Sequence, residues 1–106
     1  MIWYDVMTRL KESGLNPIEE IYMENYGKIL TAQRPEFHDR SFRCAYGAVK
    51  CVGVELELFL FPDEIQRDEF MDVIGSDPWW IARRNVVLHF PECEPDILAS
   101  IVNAIA

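Results

Sequence analysis

The chain has 106 residues, of which 50% are apolar and 26% charged, and this composition fits a single globular domain. The mixture of aromatic and aliphatic residues excludes collagen-like, low-complexity and wholly disordered proteins. Eighteen acidic and ten basic residues give a net charge of -8, and residues 51–106 contain only three of the basic ones. Because nucleic-acid binding depends on Lys and Arg contacts with phosphates, this charge argues against a nucleic-acid partner.

The first third of the chain predicts a helix and then a segment with two interpretations. Gly14 ends a helix with four apolar residues on one face: Trp3, Val6, Met7 and Leu10. Residues 17–33 fit a helix that begins at Pro17. They also fit two strands joined by a turn at Tyr26–Gly27, with the second strand at Lys28–Gln33, and we favour the strands.

The clearest strand covers residues 52–60, where apolar residues alternate with Glu55 and Glu57. Its far end is apolar on both faces, because Phe59 and Phe61 follow the two acids on the polar side. A strand of this kind is typical of the middle of a sheet.

A hairpin is predicted before and within this strand, with Gly47–Ala48 at the centre of a two-residue turn. That register would place Cys44 opposite Cys51, and also Arg40 opposite Glu55 and His38 opposite Glu57. The two thiols would then be neighbours that can be oxidised to a disulfide. Three cysteines without a CxxC motif are more typical of reduced, buried thiols.

Two further helices and a hairpin are predicted in the second half. Asp63 and Gln66 form a capping pair for a helix that Gly75 ends. The β-prone runs 79–82 and 86–90 predict a hairpin around Arg83-Arg84-Asn85, with Asn85 in the left-handed conformation. The last helix begins at Pro95 and has one apolar face, formed by Ile97, Leu98, Ile101, Val102 and Ile105.

These elements together predict one α+β domain over residues 1–106. Its sheet is mainly antiparallel, and about three helices pack on one face of the sheet.

The second half also carries a resemblance. From Glu57–Asp63 (Glu-Leu-Phe-Leu-Phe-Pro-Asp) onward, a strand ending in aromatic-Pro-Asp precedes a helix, an aromatic-rich strand, a basic turn, a Val-rich strand and a last helix. In this layout residues 54–106 resemble small uncharacterised bacterial α+β domains that often follow a lipoprotein signal. The resemblance implies the fold and transfers no activity and no functional residue.

A cytoplasmic location is expected, without a membrane span. The N-terminal residues have neither the basic nor the apolar region of a signal peptide. The longest run without Asp, Glu, Lys or Arg is the ten residues of Ile97–Ala106, whereas a transmembrane helix needs about 20.

No catalytic site, metal site or cofactor is predicted. Cys44 and Cys51 are seven residues apart, and His89 and Cys93 are four apart, which is not the paired spacing of zinc ligands. Cys93 precedes the last helix, but the acids on both sides of it oppose activation of its thiol. We therefore lean towards a protein that is not an enzyme.

The candidate binding residues are Trp79, Trp80, Arg83 and Arg84. Adjacent tryptophans in a strand point to opposite faces, so one indole would enter the core and the other would lie on the open face of the sheet. Trp and Arg are enriched at binding hot spots, and the two arginines form a positive spot for an acidic partner.

Two functions follow from these residues. The favoured one is a small non-catalytic protein-interaction module, whose partner is another protein or a second copy of the chain. The alternative is a small-molecule-binding or enzymatic domain with a pocket between sheet and helices. Arg40 or Arg43 would meet an acidic group of the ligand there, and aromatic residues would line the pocket: Tyr22, Tyr26, Phe59 and Trp80.

Overall fold

The structure, a computed structural model, describes residues 1–24, 34–38 and 40–106. Its helices are α1 (Trp3–Glu12), α2 (Glu64–Ile74) and α3 (Pro95–Ile105), with a one-turn 3-10 helix at Pro35–Phe37. Its strands are β1 (Ile18–Met23), β2 (Ala45–Cys51), β3 (Val54–Leu60), β4 (Trp80–Arg83) and β5 (Val86–His89). They form one antiparallel sheet in the order β1-β2-β3-β5-β4. The predicted α+β class, with its antiparallel sheet and three helices, is confirmed.

The central strand β3 is buried on both faces of the sheet. Leu56 and Leu58 point to one face and Phe59 to the other, as the alternation of side chains in a strand requires. The continuous apolar end of this strand is the sequence feature that places it in the middle of the sheet.

Two hydrophobic cores lie on opposite faces of the sheet. The first, called here the aliphatic core, is closed by α1 and α3, which contribute residues such as Val6, Leu10 and Ile101. The second, the aromatic core, is closed by α2 and the one-turn helix. It consists of Phe37, Phe42, Cys44, Phe59, Phe61, Phe70, Trp80 and Val87. The helices are therefore distributed over both faces, instead of all three on one, because the aromatic side of β3 also requires cover.

The turn between β2 and β3 differs from the predicted one. It lies at Val52–Gly53, whose φ angles of 43° and 82° are both positive, as in a type I′ turn. The predicted turn residues, Gly47–Ala48, lie inside β2. Glu55 consequently pairs with Lys50 instead of Arg40, and Glu57 pairs with Ala48 instead of His38.

The two cysteines that the predicted turn would have paired lie on opposite faces of the sheet. Cys44 belongs to the aromatic core and Cys51 to the aliphatic core, and both thiols are free. The expected juxtaposition of these cysteines is therefore wrong.

Gly47 makes room for an aromatic side chain of α1. A Cβ atom at this position would collide with the six-membered ring of Trp3. The same indole stacks on Tyr22, which pairs with Gly47 across the sheet, with ring centroids 4.8 Å apart. A large aromatic residue covering a strand glycine restores the packing that the glycine itself lacks.

Two further predictions can be compared with the described residues, namely the conformation of residues 17–33 and the turn between β4 and β5. Residues 18–23 form a strand, which confirms the extended interpretation, whereas the predicted turn at Tyr26–Gly27 and the strand at Lys28–Gln33 lie outside them. In the β4–β5 turn, Arg84 (φ 53°) takes the left-handed conformation, and Asn85 does not. The Asn85 amide instead donates hydrogen bonds to the Met1 and Phe61 carbonyl oxygens, 2.8 and 2.7 Å away.

The predicted helix ends agree with the structure. Asp63 accepts a hydrogen bond from the backbone N–H of Gln66 at 2.8 Å, and Gly75 follows the last residue of α2. Pro95 occupies the first turn of α3. In the part of the chain that the structure describes, no helix has the length and apolar character needed to cross a membrane.

Replacement of Val52 by asparagine should stabilise the fold. A β-branched residue with positive φ is strained, and asparagine tolerates this conformation better, so the free energy of unfolding should rise by about 0.5–1 kcal/mol. Urea denaturation of the wild type and of Val52→Asn measures the change. Ile65→Asn, at an exposed position of α2, is the control and should give no gain. A lower stability for Val52→Asn would contradict this interpretation of the turn.

Replacement of Gly47 by alanine should destabilise the fold by about 1–3 kcal/mol, because the new methyl group would displace the Trp3 indole. The same substitution in a Trp3→Ala background should cost clearly less. Chemical denaturation of the four proteins gives both values. An equal cost in the two backgrounds would show that the indole is not the reason for the glycine.

Candidate functional site

Three polar side chains surround the carboxylate of Glu57, on the face of the sheet that carries the aromatic core. Arg34 donates two hydrogen bonds to it, at 2.6 and 3.0 Å. The Tyr46 hydroxyl donates a third at 2.6 Å, and His89 Nδ1 lies 2.7 Å from Glu57 Oε1. These residues, called here the Glu57 cluster, join the segment before the one-turn helix to β2, β3 and β5.

The Glu57 cluster borders the aromatic core directly. The Arg34 guanidinium lies 5.0 Å from the ring centroid of Phe37 and 5.9 Å from those of Phe59 and Trp80. The His89 ring stacks on Trp80, with centroids 3.7 Å apart and an interplanar angle of 10°. The Arg34 guanidinium and the His89 imidazole thus cover the rim of the aromatic core, and both groups are hydrogen-bonded to Glu57.

The hydrogen bonds keep Glu57 ionised although it is largely buried. Burial alone would raise the pKa of this carboxyl, but the hydrogen bonds from His89, Arg34 and Tyr46 outweigh it and lower the pKa to about 2. The same contact with Glu57 raises the pKa of Arg34 despite the opposing effect of burial. At neutral pH the two groups therefore form an ion pair, in which Glu57 accepts all of the hydrogen bonds.

Within the Glu57 cluster, His89 and Glu57 are arranged like a histidine general base that is oriented by a carboxylate. Because an ionised carboxylate only accepts hydrogen bonds, His89 Nδ1 carries a proton in this contact, and in the neutral ring Nε2 keeps a lone pair. A general base also needs a substrate within hydrogen-bond reach. The two grooves described below include no residue of the Glu57 cluster in their linings.

An open groove of about 550 Å³ lies beside the N-terminus of α1, at the end of the sheet where β2 begins. Arg43 and Glu24 are its charged residues. Its apolar lining includes Ile2, Trp3, Tyr4, Tyr22, Leu60 and Phe61. We call it the apolar groove.

A second, polar groove of about 720 Å³ adjoins the first, and Met1 and Tyr4 line both. Arg9 and Arg84 contribute its positive charges, and Asp5 and Glu12 its negative ones. Met1 and Tyr4 therefore separate an apolar surface from one with mixed charge.

The thiol in the apolar groove is not an activated nucleophile. Cys44 contributes to the lining, and burial raises its pKa to about 12. Since only the thiolate attacks efficiently, this cysteine is inert at neutral pH. Burial and Glu94 also raise the pKa of Cys93, in line with the sequence argument about its acidic neighbours.

The four predicted binding residues do not share one surface. Trp80 is only 7% exposed and lies in the aromatic core, while Trp79 is partly buried against the aliphatic core. The tryptophans are thus on opposite faces, as strand alternation requires, but both faces are packed at β4. Arg83 and Arg84 are exposed, and the Arg83 guanidinium donates to the Ala82 carbonyl oxygen at 2.7 Å. Binding by these four residues remains a prediction.

The residues expected to line a pocket are separated in a similar way. Tyr22 and Arg43 line the apolar groove, whereas Phe59 and Trp80 belong to the aromatic core. Tyr26 lies outside the described residues. Arg40 lies over the Phe42 ring, 5.5 Å from its centroid, and does not line the groove.

Sequence reasoning missed the Glu57 cluster and the groove formed by the start of α1. A carboxylate and an imidazole, Glu57 and His89, each occur within a strongly apolar strand, which is the signal that could have indicated a buried polar contact. Arg34 is 23 residues from Glu57 in the chain, and no local pattern connects them.

Among the residues that the structure describes, no group of three or more His, Cys, Asp or Glu side chains could hold a metal ion. Comparison with protein-family models, with curated proteins and with solved structures finds no match to this chain.

Acid should weaken the fold through Glu57. A carboxyl whose pKa is lower in the folded state stabilises the fold above its unfolded value of about 4.3, and this contribution is lost as the pH falls towards 2. The loss should amount to roughly 2–3 kcal/mol. Urea denaturation at a series of pH values from neutral to acid measures it.

The variant Glu57→Gln should be less stable at neutral pH and should lose less stability in acid than the wild type. Glu55→Gln, at the exposed glutamate of the same strand, is the matched control and should keep the wild-type acid loss. Identical pH profiles for Glu57→Gln and the wild type would contradict the role assigned to this carboxylate.

Proposed function

We propose that this chain is a small non-catalytic protein-interaction module and that the apolar groove is its contact surface. The observation that carries the proposal is the convergence of large, exposed apolar side chains on one groove. Ile2, Tyr4 and Tyr22 all line it, and they are 65%, 73% and 38% exposed. A continuous exposed apolar patch is the usual mark of a binding surface on a soluble domain.

The residue types around the apolar groove support a protein partner. Tyrosine and tryptophan combine a large apolar area with a polar group, and they are enriched at protein interfaces. Trp3 and Tyr22 are stacked, and Trp3 also packs on Gly47, so this part of the groove is already ordered before any partner binds. A preformed surface loses less conformational entropy on binding than a flexible one.

We propose a non-catalytic function because the apolar groove is separate from the histidine and carboxylate of the Glu57 cluster. The apolar groove contains the inert Cys44 thiol, whereas the histidine and carboxylate of the Glu57 cluster line neither groove. An enzyme needs its reactive groups within reach of its bound substrate. The two features lie apart within the described residues.

The polar groove extends the proposed contact surface. Arg84, one of the predicted binding residues, lines the polar groove together with Met1 and Tyr4, which also line the apolar groove. Arg83 lies outside both groove linings, and its guanidinium is engaged by its neighbour Ala82. Of the two arginines, we therefore expect Arg84 to contribute more to binding.

A small-molecule ligand is the second candidate. A volume of about 550 Å³ lies within the common range of ligand pockets, and two of the residues expected for such a pocket, Tyr22 and Arg43, line it. Ligand pockets enclose most of the ligand surface, however. The strong exposure of Ile2 and Tyr4 is more typical of one half of a protein interface.

Selection from a library of random linear peptides tests the proposed function. The immobilised protein should enrich binding peptides, and Tyr4→Ser should weaken their binding by roughly tenfold or more, as expected for loss of an interface anchor. Ile65→Ser is the matched control, because Ile65 is equally exposed but lies on α2 and lines neither groove. Failure to enrich any peptide, or equal binding by wild type and Tyr4→Ser, would overturn the proposal.

A further inference from the structure

We infer that the occupant of the apolar groove is a segment of a different protein, in which an apolar side chain is adjacent to a single carboxylate that Arg43 binds. This inference rests on the proposed function and specifies the chemistry of the partner. It assigns Arg43 the role of the specificity-determining residue of the groove.

Arg43 is placed to bind a carboxylate at the end of the groove. It lies two residues before β2 and is exposed, whereas its neighbours Phe42 and Cys44 enter the aromatic core, and it lines the groove together with Ala45. Within the described residues its guanidinium forms no ion pair, in contrast to Arg34 and Arg67. A guanidinium binds a carboxylate through two parallel hydrogen bonds, which gives specificity as well as affinity.

Glu24 limits how many carboxylates the groove can accept. It follows β1 directly and lines the same groove, so it would repel an acidic group placed on its side. The whole chain carries a net charge of -8 and would repel a strongly acidic segment as well. The groove therefore favours one carboxylate, close to Arg43, over a run of acidic residues.

The apolar part of the segment is expected to lie between the wall formed by Trp3 and Tyr4 and the residues at the end of β3. Leu60 and Phe61 line that end of the groove, and Trp3 is backed by Tyr22 at 4.8 Å. An aliphatic or aromatic side chain there would bury apolar area mainly against Tyr4 and Tyr22, which are exposed, since Trp3, Leu60 and Phe61 are already buried.

A second copy of the chain is the less favourable occupant. Two molecules that each carry a net charge of -8 repel one another. A different protein that has a single acid next to an apolar residue need not carry such a charge, and so the charge balance favours a hetero-complex.

The test uses the peptides selected on the wild-type protein. Compared with the unselected library, they should be enriched in an apolar residue next to one Asp or Glu. In fluorescence anisotropy, Arg43→Gln should weaken binding of a labelled selected peptide by roughly tenfold. Replacement of the acidic residue of the peptide by its amide should cause the same loss, and the two changes together should cost little more than either alone. Arg40→Gln is the matched control and should bind as the wild type does.

The outcomes separate this inference from the proposed function. If peptides lack the acidic preference, or if Arg43→Gln binds normally while Tyr4→Ser does not, the groove is a binding site but the role of Arg43 is wrong. If no peptide is enriched, or if Tyr4→Ser binds normally, the proposed function itself fails. A dimer in sedimentation velocity that Tyr4→Ser abolishes would overturn the inference by making a second copy the occupant.

Discussion

The ion pair between Glu57 and Arg34 is the contact on which the aromatic half of the structure depends. A carboxylate that is mostly removed from water is unfavourable unless charged and hydrogen-bonding partners compensate it. Here Arg34, Tyr46 and His89 supply them from three other segments of the chain. Arg34 is followed after two residues by Phe37, which is fully buried against Phe42, Phe59, Phe70 and Trp80. The carboxylate thus holds in place the segment that completes the aromatic core.

The buried polar contacts of the Glu57 cluster lie on the aromatic face of the sheet, whereas the exposed apolar residues of the groove lie around the start of α1. On the aromatic side the polar groups are mutually satisfied, and in the described residues no buried side-chain donor or acceptor lacks a partner. On the other side α1 packs its buried face on the sheet and leaves Ile2 and Tyr4 exposed at its start. Satisfied polar groups are typical of a structural role, whereas exposed aromatic groups are typical of binding.

Periodicity and capping were sufficient to predict the class of fold, because they depend on neighbours in the sequence. The apolar face of α3, the Asp63 cap and the alternation in β3 are all of this kind. The predicted turn between β2 and β3 differs from the observed one because Gly47 lies inside β2, where it accommodates Trp3 from α1, a contact that no local pattern shows. The Glu57 cluster was missed for the same reason, since its members come from four separate segments. Both faces of the sheet carry helices because Phe59 and Phe61 make the second face of β3 apolar as well.

A double-mutant cycle between Arg34 and Glu57 tests most directly whether this ion pair holds the aromatic half together. The variants Arg34→Met and Glu57→Gln, singly and combined, are compared with the wild type by urea denaturation at neutral pH. We predict a coupling free energy of about 1–3 kcal/mol, because the pair is largely buried and joined by two hydrogen bonds. A coupling below about 0.3 kcal/mol would mean that the two residues contribute independently, and it would contradict the structural role given to the pair.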